Sequence, residues 1–508
     1  MFRFLGAGNV GKVSQGSSRR TDPDGGKPVR ANLALVVIMT GVLITAVDTT
    51  IVVLALPIIE RSLKVALADV IWVVIGYLLI ITLLATQVGR LGDMFGRVRM
   101  YEAGFLIFVL GSALCALSWN EISIIAFRIL QGIGGALISA NSGAIIADLF
   151  PKERRGRAYG YNAIGWSLGA VLGIVVGGAI VTYFSWRWIF WINVPIGIGA
   201  LILAFRVLPA NNTREKHHID LVGMLALGLG LFGILWAMTK LATSSLDATL
   251  IGYAVSGVIL LVIFVFIENH QQEPMIHMDL FRVATMTPSL LAAMFQALGN
   301  YAVLFLVIMY LQGPRGLSPL NASLLLVPGY VIGGAVGPLS GRMSDKFGSV
   351  IPATFGLLVQ VIALFFYAHL SDTTGLWLVI VVSVINGIGG SSFFPANNSA
   401  VMKASPQEVF GIASGMLRTF ANIGMVFSFS LAILVASRSI SRNLAFAIFV
   451  GTAKLSGPVA RAFTTGLHAA FYASMVLMII AAALSASRLL SKVPRRNENL
   501  SGAEATGA

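Results

Sequence analysis

Long apolar stretches alternate with short polar ones from about residue 32 to residue 487. The apolar runs fall at about 32–57, 69–88, 100–118, 121–147, 157–182, 188–208, 219–239, 249–267, 286–311, 321–340, 350–369, 375–401, 409–436 and 466–487. Each is close to the roughly 20 residues an α-helix needs to cross a bilayer. In lipid, only structures that satisfy every backbone hydrogen bond internally can span. The pattern therefore predicts an all-α polytopic membrane protein with about fourteen transmembrane helices. Residues 1–30, rich in Gly and Ser with Arg19, Arg20, Lys27 and Arg30, predict a disordered cytoplasmic tail. The apolar run after them is too long for a signal-peptide core and lacks a small-residue cleavage site, so it is expected to be retained. Residues 491–508 form the second tail. The interval 437–465 breaks the alternation, with Arg438, Arg442, Lys454 and Arg461 around the apolar stretch Leu444–Val450. It is expected to be an external hairpin or an interfacial segment, with a re-entrant segment as the alternative.

One polar loop stands out, Gly89-Arg-Leu-Gly-Asp-Met-Phe-Gly-Arg-Val-Arg99. Gly89 and Gly96 permit a tight turn and close helix approach. Asp93 stands among Arg90, Arg97 and Arg99, so its carboxylate can pair with guanidinium groups or cap a helix start. About 250 residues later a weaker copy follows, Gly341-Arg-Met-Ser-Asp-Lys-Phe-Gly348. Two loops of one design in two halves imply duplicated bundles that rock against each other. Asp93 and Asp345 then read as a charge latch closing the inner side, or as ordinary helix caps in basic loops.

Composition narrows the class. Of 508 residues 57% are hydrophobic and only 11% charged, against about 25% charged in an average soluble domain. The 54 glycines suit close helix packing in lipid. The formal charge of +14 does not point to nucleic acid, because the basic residues are confined to loops and tails. Counting alternate loops, one side holds about 24 of the 35 Lys and Arg and the other about 9. The excess predicts that both termini are cytoplasmic and that the chain is a multi-pass protein of the plasma (inner) membrane. Cys115, the single cysteine, rules out an intrachain disulfide and reads as a small packing residue. His369 and His468 sit near helix ends and suggest no metal. There is no nucleotide-binding domain and no nucleophile–base constellation, so an ATP-driven pump or an enzyme is rejected. No cofactor is expected.

The apolar runs hold one deep acid, Asp48, and an ionisable residue inside the membrane is a functional candidate by default. Asp48 lies roughly 13 Å below the outer end of its run, and Arg128 roughly 10 Å into a run entered from outside, at 1.5 Å per residue. The two charges can pair if their helices touch, either for proton coupling or as a static ion pair that fixes packing. Gln131 lies one turn further in. Gln296 and Asn300 share a helix face at i and i+4, with Tyr301 adjacent. Asn386, Trp166, Tyr77 and Arg418 complete the candidates for a substrate lining. Each can instead be polar glue between helices.

Several of these stretches resemble the major facilitator superfamily, and within it the fourteen-spanner drug–proton antiporter branch. Asp48-Thr-Thr-Ile-Val-Val-Leu-Ala-Leu-Pro57 is similar to the first-helix motif, with Val53 in place of the usual Asn. Gly89–Arg99 resembles the loop after the second helix, and Arg128-Ile-Leu-Gln-Gly132 the fourth-helix motif. Trp186-Arg-Trp-Ile-Phe-Trp-Ile-Asn-Val-Pro-Ile-Gly197 is the most branch-specific match. Two departures exist. Ile174 replaces the proline of the fifth-helix antiporter motif at Gly173-Ile-Val-Val-Gly177-Gly178. In the thirteenth helix Ala421 holds the place of the usual Arg, with Arg418 a turn earlier.

The resemblance implies a major facilitator fold of two six-helix bundles, at 31–208 and 285–490, joined by 209–284 with two additional helices. It also implies a substrate cavity between the bundles near mid-membrane. The function expected is secondary active transport, as proton-coupled efflux of small apolar or amphiphilic compounds such as drugs. The proton gradient supplies the energy. The partners are a small-molecule substrate, protons and the lipid bilayer, and the chain is expected to act as a monomer. Burial disfavours a charged carboxylate and a neighbouring guanidinium favours it, so an acid whose contact with arginine changes between two states can carry a proton. The alternatives are a facilitative or proton-coupled carrier of another metabolite, or a transporter-like ligand sensor. The short tails, poor in apolar residues, speak against the sensor.

Overall fold

A computed structural model describes residues 31–64, 70, 72–209, 220–243, 247–271, 276, 279–371, 373–439 and 457–489. The described residues are all-helical in their regular structure. The long helices are α1 (Ala31–Leu63), α2 (Trp72–Phe95), α3 (Arg97–Ala116), α4 (Glu121–Leu149), α5 (Arg155–Tyr183) and α6 (Trp188–Val207). There follow α7 (Leu221–Thr243) and α8 (Ala248–His270). The second half comprises α9 (Met286–Gln312), α10 (Val327–Phe347), α11 (Val350–Tyr367), α12 (Leu376–Ala404), α13 (Phe410–Ser439) and α14 (Gly457–Ser487). Thirteen of the helices among the described residues are long and apolar enough to cross a bilayer. The other, α7, has 23 residues with Lys240 as its one charge.

Local chemistry sets the boundaries. Asn120 caps α4 by accepting from the Ser123 amide, while Ser123 Oγ accepts from the Asn120 amide in return. Asp247 caps α8 through the Leu250 amide. Gly96 breaks the chain between α2 and α3 at φ 101°, and Gly348 does the same between α10 and α11 at φ 87°. A left-handed backbone there is open to glycine and strained for other residues.

The two halves repeat one packing scheme. In the first, α1 packs on α5, α4 on α2 and α3, and α6 on α1 and α3. In the second, α9 packs on α13, α12 on α10 and α11, and α14 on α9 and α11. These are the two six-helix bundles. They meet along two equivalent crossings, α5 on α10 and α2 on α13. Glycine faces glycine at both, since a Cβ at Gly341 would strike the Gly156 backbone and one at Gly89 the Gly411 backbone. The added helices pair with each other, and α7 lies against α13 and α2. Gln87 Nε2 tethers α7 by donating to the Met224 carbonyl at 2.7 Å. On α8, Val258, Val262 and Phe266 are exposed, as a lipid-facing surface requires.

Some boundaries differ from the sequence expectation. The first helix runs to Leu63 rather than stopping at 57, and Trp186 Nε1 holds its end by donating to Ser62 Oγ at 3.0 Å. Asp48 is thus further from the helix end than expected. The expected external segment 437–465 is shorter, because α13 continues to Ser439 and α14 begins at Gly457. Its middle, with Leu444–Val450, lies outside the described residues, as do both tails and most of the links flanking α7 and α8. At position 174 α5 runs through unbroken, and Gly173 and Gly177 lie against Thr50 and Ile51 of α1.

Candidate functional site

Asp48 and Arg128 meet in the middle of the first bundle, both wholly buried. Arg128 Nη1 donates to Asp48 Oδ2 at 2.6 Å and to Gln131 Oε1 at 2.6 Å, and its Nε donates to the Val73 carbonyl at 2.8 Å. Gln131 Nε2 donates to Asp48 Oδ1 at 2.8 Å and to Ser112 Oγ at 2.7 Å. Asn193 Nδ2 adds a third donor to the carboxylate at 3.2 Å. A buried charge pair is tolerated when its hydrogen-bonding positions are filled, and this network engages both carboxylate oxygens and the Nε and Nη1 of the guanidinium. Helices α1, α3, α4 and α6 contribute one polar side chain or more, which locks the bundle around the pair.

A cavity of about 250 Å³ lies between the bundles, just below the roughly 300–1,000 Å³ common for small-molecule sites. Tyr77, Trp166, Gln296, Asn300, Tyr301, Asn386 and Arg418 all line it. On the second-bundle wall four amides form one cluster. Gln360 Nε2 donates to Asn300 Oδ1 at 2.9 Å and to Asn386 Oδ1 at 3.3 Å. Asn386 Nδ2 donates to Asn300 Oδ1 at 3.1 Å, and Gln296 Nε2 to Gln360 Oε1 at 3.2 Å. Arg418 lies with its guanidinium carbon 5.4 Å from the Phe394 ring centre. Gln131 is a correction. It was expected in the substrate lining, but both its polar atoms are engaged around Asp48 and it lies behind the cavity wall.

The end of the molecule rich in basic residues is shut by two matched carboxylates. Asp93, at the end of α2, accepts from the amides of Gly411 and Ile412, each at 2.9 Å, at the start of α13. Asp345, at the end of α10, accepts from the amides of Gly156 and Arg157, each at 2.9 Å, at the start of α5. Each acid thus binds the positive end of a helix from the opposite bundle. Arg97 pairs with Asp93 at 2.7 Å and Asp148 at 2.5 Å, and reaches across to the Gln407 carbonyl at 2.7 Å. Lys403 stands 3.6 Å from Asp345. Of the three arginines expected around Asp93, Arg97 makes the ion pair, Arg90 is buried at the end of α2 and Arg99 is exposed. Gly89 and Gly96 serve this end as the crossing contact and the helix break described above.

Sequence reasoning missed Asn193, Gln360 and Asp148. Asn193 stands inside the quoted Trp186–Gly197 stretch, and Gln360 is a lone amide within an apolar run. Both carried a signal. Nothing in the sequence tied Asp148 to Arg97, 51 positions away.

The fold and these sites define a membrane transporter. The model of the Major Facilitator Superfamily matches residues 38–429 and 290–508, and the chain belongs to that family. The riboflavin transporter RibZ of Clostridioides difficile is 30% identical over 415 residues, covering 82% of this chain and 89% of that protein. The tetracenomycin C resistance and export protein of Streptomyces glaucescens is 30% identical over 411 residues, covering 80% and 76%. Among solved structures, the proton:xylose symporter XylE superposes with a TM-score of 0.62 at 15% identity, over 88% of this chain and 95% of that one. That likeness concerns the fold.

Proposed function

We propose that the protein is a secondary active transporter of the plasma membrane that exports small, mostly apolar or amphiphilic compounds in exchange for protons. The observation that carries this reading is the buried Asp48–Arg128 network, set one tyrosine ring behind the cavity between the bundles. The basic end faces the cytoplasm by its excess of Lys and Arg, so both termini lie inside. The observed arrangement is then the state closed toward the cytoplasm. Asp48 takes a proton when its contact with Arg128 opens and gives it up when the contact forms. Proton and substrate favour opposite states, and each therefore drives the other. One chain supplies both bundles and the whole cavity, so a monomer suffices, and the proton gradient replaces any cofactor. The relative described as a resistance and export protein supports outward transport of drug-like compounds. The riboflavin-transporter relative favours a second reading, the same machinery carrying a metabolite.

The test is transport of a dye panel in proteoliposomes under an imposed pH gradient. Asp48→Asn is expected to lose gradient-driven accumulation while still binding dye. The single substitution leaves Arg128 buried without its counter-charge, a change worth about 3–5 kcal/mol of stability. The double variant Asp48→Asn/Arg128→Gln is expected to recover that stability without recovering coupling. If Asp48→Asn concentrates dye with wild-type dependence on the gradient, the pair is structural and coupling lies elsewhere.

A further inference from the structure

The cavity is charged, and its charge has one sign. Among the described residues that line it there is no Asp or Glu and one cation, Arg418. The deep acid of the first bundle, Asp48, is paired with Arg128 behind Tyr77 and is not part of the lining. Arg418, half-buried in the cavity wall, differs from four of the five arginines that are buried among the described residues. Arg128 and Arg97 pair with carboxylates. Arg155 donates to the carbonyls of Phe150 and Ala147, and Arg488 to Ser289 and Asn397. The Arg418 guanidinium lies by the Phe394 face, and Tyr159 and Tyr301 line the same cavity. Aromatic faces and neutral hydroxyls attract a cation, but they do not cancel its charge. A cation held at membrane depth without a counter-charge is costly unless water or a ligand compensates it. The guanidinium fork matches the oxygens of a carboxylate or sulfonate in a bidentate fashion.

We infer that the substrate of this cavity is an organic monoanion with an aromatic body, its acid group held by Arg418. The body packs against Trp166, Tyr301 and Phe394, and polar edges on it meet the Asn300–Gln360–Asn386 amides. The same site disfavours cations, because a positive ligand would bring a second like charge into a cavity with no acid to offset it. The inference rests on the reading of this cavity as the substrate site, and it names the class of compound that site takes.

Equilibrium binding to the purified full-length protein in detergent tests it without any gradient. The probes share one ring system: naphthalene-2-sulfonate as the anion, naphthalene-2-sulfonamide as the neutral form and 2-naphthylmethylammonium as the cation. The sulfonate is expected to bind at least tenfold more tightly than either of the others. Arg418→Gln is expected to lose that preference while keeping its affinity for the sulfonamide, which reports an intact cavity. Arg418→Lys is expected to keep part of the preference. If Arg418→Gln does not fold, the wild-type ranking of the three probes decides alone. Equal binding of the three, a preference for the cation, or no sulfonate binding up to its solubility overturns the inference. Anion-selective binding without proton-driven transport leaves it standing and overturns the coupling mechanism instead.

Discussion

The ring of Tyr77 lies over the guanidinium of Arg128, its centre 4.1 Å from the central carbon, and the same ring forms part of the cavity wall. One side chain therefore separates the Asp48–Arg128 pair from the cavity between the bundles. The Tyr77 hydroxyl is buried and finds no hydrogen-bond partner among the described residues. Its aromatic face, not its polar tip, is what the position uses. Tyr77→Phe is accordingly expected to transport within about twofold of wild type and to shift stability by no more than about 0.5 kcal/mol. Tyr77→Leu keeps an apolar filler but lacks the stacking face. It is expected to let water reach Asp48 and to leak protons without substrate. Proton flux into proteoliposomes, followed with an entrapped pH dye, distinguishes the two variants. A Tyr77→Leu protein as proton-tight as wild type removes the partition role.

The two carboxylates at the basic end bind helix starts of the opposite bundle, and are therefore expected to contribute stability to the closed conformation only. Asp93→Asn and Asp345→Asn are each expected to weaken closure by about 1–2 kcal/mol, through loss of charge-assisted bonds to amides at a helix start. That shifts the ratio of closed to open molecules by a factor of roughly 5–30. The two sites share no partner, so the double variant is expected to show the product of the two shifts. Spin labels at the exposed positions Lys152 and Lys346, in a Cys115→Ala background, report the distance between the bundles at this end. An unchanged distance distribution in both single variants would mean that the acids cap their helix partners without holding the closed state.

Much of this architecture is written in the chain as run length and repetition. Apolar runs separated by charged loops specify helices, because the period of the pattern and the length of a membrane crossing coincide. The copy of Gly89–Gly96 at Gly341–Gly348 carries the two-fold scheme in plain sequence. Depth places Asp48 and Arg128 at similar levels, and their contact follows only if the two helices touch, as the family resemblance implies; α1 runs on to Leu63, so the outer reference point moves with it. Facing direction was less legible. Gln131 and Tyr77 are both polar residues on interior helices, yet one turns into the bundle and the other toward the cavity. That choice depends on which neighbours α4 and α2 meet in three dimensions, and a hydropathy profile does not contain it. The same holds for the partners of Asp93 and Asp345, which are backbone amides of distant helices rather than the nearby arginines alone.

The charge assigned to the substrate has an energetic consequence for transport. A monoanion leaving an inside-negative compartment moves down the electrical gradient by about 2.3 kcal/mol per 100 mV. Exchange for one inward proton moves a second charge in the same electrical sense, so the cycle gains roughly 4.6 kcal/mol per 100 mV. Exchange of a monovalent cation for one proton would move no net charge and gain nothing from the potential. Efflux of naphthalene-2-sulfonate from loaded proteoliposomes is therefore expected to speed up when potassium and valinomycin set the interior negative, with no pH gradient present. Reversing the potential is expected to slow it. Arg418→Gln is expected to lose most of the flux at either potential, because the anion no longer has its counter-charge in the cavity. Protein-free vesicles set the background of passive leakage. Sulfonate efflux through the wild-type protein that ignores the potential would mean an electroneutral cycle, and the anion would not be what the cavity carries.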